Sequence, residues 1–230
     1  MTKAAKIVCC GNMKGGVGKT TSTMLMATEL HYYHFKKVIV LDCDEQATIT
    51  RSREGDILQN PKMQAPYEIR QARLERIIPT IKELKASGEY DIIFIDIPRI
   101  TEDLNNTDIS FDIISVLAVL DVLFIPFTSQ TMDLQATQDF MNYVKEVAQW
   151  KQQNNYQFKF IGFQNKWKIA MENKDIPEWA EAIGLPLMKN SLKDNTLISR
   201  NYSTYISLQT KKSGKELLSN FISEVNSIIS

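Results

Sequence analysis

Apolar residues fall along this chain in two alternating rhythms. Short, nearly unbroken apolar runs occupy Lys6–Cys10, Val38–Asp42, Ile92–Asp96, Val122–Pro126, Phe158–Phe163 and Leu185–Met188. Runs of that length without polar alternation read as strands buried on both faces. Between them, helical patterns cover Lys19–Tyr33, Ile69–Ala86, Ile109–Val119, Asp133–Gln153 and Ile176–Ile183, and a last amphipathic pattern covers Gly214–Ile229. Strands alternating with helices predict an α/β fold, a mostly parallel twisted sheet with helices on both faces. Two stretches break the rhythm. Ser52–Pro66, with Gly55, Pro61 and Pro66, reads as an exposed excursion, and Arg99–Asp108, rich in Asp, Asn and Thr, reads as a loop. No repeat or low-complexity tract interrupts the pattern, so residues 1–230 are expected to form a single domain.

The turn after the first apolar run adds chemistry to this fold. Lys14-Gly15-Gly16-Val17-Gly18-Lys19-Thr20-Thr21 stands between a strand and a helix, the context a phosphate-binding loop requires. Successive backbone N–H groups in such a loop curl around phosphate oxygens, and the helix N-terminus adds positive potential. Lys19 is expected to reach the β- and γ-phosphates of a nucleotide, and the Thr20 hydroxyl to hold Mg²⁺. The common form G-x-x-x-x-G-K-[ST] would place a glycine where this chain has Met13, and an extra lysine, Lys14, opens the loop instead. Two further strands end in acids: Leu41-Asp42-Cys43-Asp44-Glu45-Gln46, and Ile92-Ile93-Phe94-Ile95-Asp96. Ligands of open α/β sheets sit at the carboxyl ends of strands, which brings these acids beside the loop. Asp96, closing an apolar strand, matches the Walker B pattern, whose carboxylate holds Mg²⁺.

The loop K-G-G-x-G-K-T resembles the deviant P-loop of the ParA/MinD family of dimeric ATPases. The likeness continues through Leu41–Gln46, similar to the family's LDxDPQ switch with Glu45 in place of proline, and through Leu120–Pro126, similar to its AADxVLIP strand. The family usually follows the Walker B aspartate with Thr-Pro-Pro; Pro98 here fits that turn and Arg99 departs from it. This resemblance implies a P-loop NTPase domain with ATP and Mg²⁺ as cofactors, a homodimer closed around ATP, and slow hydrolysis. It also implies roles for single residues. Lys14 would reach the nucleotide held by the other subunit, Asp44 would position the attacking water, and Asp42 would lie near the Mg²⁺ shell. Asn165, in Gln164-Asn165-Lys166 at the end of the fifth apolar run, would contact the base. A guanine-reading site would carry N-K-x-D. Position 168 is Lys, so adenine is expected.

Composition narrows the setting. Lys+Arg and Asp+Glu both number 27, so no global charge marks a nucleic-acid partner, and any such surface must be local. Cys9, Cys10 and Cys43 fall in or beside strands, without a disulfide framework, and read as small core residues in a reduced cytoplasmic setting. His31 and His34 have no third ligand-type neighbour and read as surface or packing residues. No signal peptide or run of membrane-spanning length is visible.

Three outputs compete for the ATPase. The first is ParA-like DNA partition, with the ATP-bound dimer on nonspecific DNA at the bacterial nucleoid and a ParB-like centromere-binding partner triggering release. Lys189, Lys193, Arg200, Lys211, Lys212 and Lys215 against Asp194 alone give 6 − 1 = +5 over 189–215, the best DNA-facing candidate. The second, MinD-like membrane positioning, would want basic residues in an amphipathic tail, and Glu216–Ser230 has none. The third is another regulatory or metabolic ATPase of the superfamily; a cluster-binding member would need cysteines placed elsewhere. Plasmid or DNA partition is the expected role.

Overall fold

Within each inner strand, neighbouring side chains enter different cores. The computed structural model describes residues 4–98, 114–167, 174–201 and 203–230, with backbone alone at 199–201. Six strands, β1 (Lys6–Cys10), β2 (Val38–Asp42), β3 (Glu68–Gln71), β4 (Ile92–Asp96), β5 (Val122–Phe127) and β6 (Lys159–Gln164), form one sheet in the order β3-β2-β4-β1-β5-β6. Every pairing is parallel. Ile7 and Cys9 of β1 join one apolar cluster, and Val8 and Cys10 join the other. Because side chains alternate faces along a strand, this places one core on each side of the sheet. The three cysteines are free and buried, as expected of core residues.

One face is covered by α1 (Lys19–His34) and by α7 (Lys212–Ile229), whose Leu218, Phe221, Ile222, Val225 and Ile229 are buried. The other takes α3 (Ile77–Ser87), α4 (Thr131–Gln153), α5 (Ile176–Ala182) and the helical residues 114–119. Two further helices are α2 (Thr48–Gln59) and α6 (Thr196–Asn201). The expected α/β sheet with helices on both faces is the fold found. The rest of the helix expected over 109–119, the Arg99–Asp108 loop and Tyr202 lie outside the described residues.

Three local expectations fail for physical reasons. The helix expected over Ile69–Ala86 begins as β3, followed by a 3₁₀ turn at Leu74–Arg76 and then α3. β3 is an edge strand held by backbone pairing to β2, Ile39↔Glu68 through Asp42↔Gln71, so its side chains need no buried run. The excursion expected over Ser52–Pro66 is in large part α2. That helix buries only Ile49 and Arg53 and so carries no apolar stripe to betray it. Leu185–Met188 makes a single bridge, Gly162↔Leu187, not a strand.

The segment 203–209 ties the helices together. Buried Glu29 of α1 accepts hydrogen bonds from Ser207 Oγ, Leu208 N and Gln209 Nε2 at 2.6, 2.8 and 3.0 Å. Burial raises its pKa, and these donors work against the rise. Arg53 of α2 donates to Thr204 Oγ1 and to Tyr67 O, and its guanidinium lies over the Tyr67 and Tyr205 rings.

Candidate functional site

β1 runs directly into the glycine loop, and α1 starts at Lys19. Gly16 and Gly18 have φ of 80° and 95°, left-handed conformations that favour glycine. At Gly18 the space is also closed: a Cβ would lie 2.1 Å from Asn165 Nδ2. Four loop carbonyls are held by donors. Lys14 O accepts from Lys19 Nζ at 3.0 Å, Gly16 O from Lys166 Nζ at 2.9 Å, Val17 O from Asn165 Nδ2 at 2.7 Å and Gly18 O from Ser22 N at 2.9 Å. The loop's curvature is thereby fixed from several sides. Asn12 adds another brace. Its Nδ2 reaches Pro126 O and Thr137 Oγ1, both at 2.9 Å, and its Oδ1 accepts Lys14 N.

Lys14 is partly exposed, with its Nζ 3.9 Å from Asp133 Oδ1. Lys19, by contrast, is buried at the helix start. Both strand-end carboxylates arrive where the sheet rule places them. Asp42 and Asp96 are register partners at the ends of β2 and β4, and both are fully buried. Asp42 Oδ2 accepts Thr50 N and Oγ1 at 2.9 and 2.8 Å, which pins the first turns of α2. Among the described residues, Asp42 Oδ1 and both oxygens of Asp96 have no hydrogen-bond partner. Burial drives the Asp96 carboxyl up to about 7; Asp42 and Asp44 add to the rise, and Thr20 and Lys19 oppose it. Buried carboxylate oxygens without partners, next to a threonine hydroxyl, are hard donors suited to a divalent cation. The residues therefore fit Mg²⁺.

Asp44 follows β2, with Oδ1 accepting Gln46 N at 2.9 Å. It lines a cleft of about 770 Å³ with the glycine loop, Lys19, Thr20, Thr21, Asn165 and Lys166. The segment 193–198 forms another wall of that cleft, through Lys193, Asp194, Asn195 and Ile198. Lys193, expected among the DNA-facing residues, thus lies in the cleft. Lys189 is exposed, its backbone N–H bonded to Glu224; Lys211, Lys212 and Lys215 are exposed at the start of α7. The Arg200 side chain lies outside the described residues, as do Arg99 and Lys168.

Asn165, expected at the base, is committed to the loop: Nδ2 to Val17 O, and Oδ1 to Lys166 N. Sequence reasoning missed Asn12, Asp133 and Lys166. Asp133 and Lys166 follow the ends of β5 and β6, so the carboxyl-end rule applied to every strand would have found both.

Comparison with known proteins agrees with this geometry. Residues 5–78 match a family model described as AAA domain. The MinD cell division protein of Aquifex aeolicus superposes with a TM-score of 0.71 at 15% identity, over 97% of this chain and 98% of that one. A plasmid partition protein of Borrelia burgdorferi bound to AMPPNP gives 0.61 at 18% identity, over 97% and 98%. Cobyrinic acid a,c-diamide synthase of Mycobacterium smegmatis, with bound ATP analogue and magnesium, gives 0.65 at 14%, over 95% and 93%. The matched segment contains the phosphate loop, and over nearly its whole length the chain has the fold of MinD, the plasmid partition protein and the synthase.

Proposed function

We propose that this chain is an ATPase of the ParA/MinD type that closes as a homodimer around ATP and Mg²⁺, hydrolyses the nucleotide slowly and serves as a switch in DNA partition. The observation that carries the nucleotide reading is the cleft. Lys19 and Lys193 line it together with the loop, cations suited to a polyphosphate. Lys19 binds the β- and γ-phosphates, exchanging its hold on Lys14 O for phosphate oxygens. Thr20 and Asp96 would hold the cation, with Asp42 beside them, and a bound cation would supply neutralising charge for the transferring phosphoryl group. Asp44 accepts a hydrogen bond from water and aligns it for attack. Lys14, partly exposed at the loop's start, serves the other subunit's nucleotide.

MinD, a partition protein and a biosynthetic synthase share the fold, so the fold does not choose the output. Two observations favour DNA. Helix α7 buries its apolar face in the core, which leaves that face unavailable to a lipid surface. Lys211, Lys212 and Lys215 stand exposed at its start, suited to phosphate contacts. A ParB-like partner then times hydrolysis and release, and the ATP-bound form is nucleoid-associated in a bacterial cytoplasm. Co-sedimentation with DNA of mixed sequence, with ATP against ADP and at two salt concentrations, tests the reading. ATP-dependent, salt-sensitive and sequence-indifferent binding is expected; binding to liposomes but not to DNA would replace partition with membrane positioning.

A further inference from the structure

The tip of β6 reaches across the sheet to the phosphate loop, and its residues bear costs that packing does not explain. Lys166 has a φ of 53°, the left-handed region that a lysine rarely occupies. It is exposed, yet its ammonium is fixed 2.9 Å from Gly16 O, at a cost in side-chain entropy. Asn165 Oδ1 accepts Lys166 N at 2.9 Å and helps set that backbone turn. Its Nδ2 meanwhile grips Val17 O at 2.7 Å. The base of this tip is held on both sides: Asn165 N donates to Phe127 O at 2.7 Å, and Trp167 N to Leu192 O at 2.9 Å. Two adjacent loop carbonyls are thus gripped by two adjacent residues of a braced strand end.

We propose that Lys166 is a positioning residue, which with Asn165 clamps the phosphate loop in the curvature that receives the phosphates of a nucleoside di- or triphosphate. The inference rests on the reading that the cleft binds ATP. Preorganisation of a binding loop removes an ordering cost that would otherwise be charged against affinity. The clamp acts on Gly16 O and not on the γ-phosphate, so ATP and ADP gain from it alike. Losing it raises KM and leaves kcat near its original value.

Fluorescent ATP and ADP analogues are titrated with Mg²⁺ against the full chain, at low salt and at about 0.5 M KCl, where exposed charges are screened. Wild type is expected to bind both. Lys166→Met and Lys166→Gly should weaken both nucleotides about five- to tenfold at either salt, the loss of one charge-assisted hydrogen bond. Glycine suits a φ of 53°, so Lys166→Gly should melt at or above the wild-type temperature without nucleotide, which separates the clamp from folding. Lys166→Arg, keeping charge and donor, should recover most of the affinity. Lys193→Met, a cleft lysine outside the clamp, should lose only affinity that high salt already screens. If wild type binds and both clamp variants bind as tightly, or lose ATP but not ADP, the clamp is wrong and the nucleotide reading stands. A wild type that binds neither nucleotide overturns both.

Discussion

Lys151 is a cation among apolar atoms. Its Nζ donates to Leu120 O and lies over the Phe158 ring, and the residue is 2% exposed. Burial lowers its pKa from 10.5 to about 8; nearby Lys85 adds to the shift, and Asp121 opposes it. The folded chain therefore releases this proton at lower pH than the unfolded chain does. Between about pH 8 and pH 10.5 the unfolded state binds more protons, so this group's contribution to stability rises with pH. Melting curves of wild type and Lys151→Met across that window should differ by this rise, absent in the variant; parallel pH profiles would refute it. At the cleft, Asp44→Ala is expected to retain ATP binding while hydrolysis falls by about a hundredfold or more, as for loss of a group aligning the attacking water. Wild-type turnover by Asp44→Ala would remove the water-positioning role.

At the scale of elements, α7 packs tightly against the turn before it. A Cβ on Gly214 would lie 1.9 Å from Leu208 O, a backbone atom that cannot step aside. Gly214→Ala gains helix propensity but forces α7 off the 3₁₀ turn at Leu208–Thr210. A net loss of about 1–3 kcal/mol is expected, read as a Tm lower by about 2–4 °C for each kcal/mol. The inner strands were legible in the sequence because strands buried on both faces are apolar along their length, and α1 was legible from the glycine loop that precedes it. β3 and α2 were not. β3 is fixed by hydrogen bonds to β2 that any side chain permits, and α2 by Asp42, which grips Thr50 eight residues on. The site divides in the same way. The loop, Asp42, Asp44 and Asp96 sit in contiguous motifs and were readable. Asp133 and Lys166 follow strand ends and lay within reach of the carboxyl-end rule, whereas Asn12 acts on Pro126 and Thr137, and that role depends on β1 lying beside β5, which local patterning does not encode.

At the scale of the molecule, the loop, Asp44 and the 193–198 wall surround one cleft, with Lys14 partly exposed at its edge. Size-exclusion chromatography with light scattering should show wild type dimeric with a non-hydrolysable ATP analogue and Mg²⁺, and monomeric without nucleotide. Lys14→Ala should bind the analogue with similar affinity yet shift the dimer midpoint to higher protein concentration by about tenfold, as for loss of a buried interfacial charge. An unchanged midpoint would assign Lys14 to its own subunit's loop. The three buried thiols give such experiments an unplanned advantage. Burial raises the pKa of Cys9 well above its ordinary value, and those of Cys10 and Cys43 to about 12, so none offers a thiolate at neutral pH. Buried and protonated, these thiols should leave the native chain slow to react with maleimides. One cysteine introduced on an exposed helix turn becomes a single optical address, from which the proposed pairing of subunits can be followed in real time without first stripping the protein of its own sulfur.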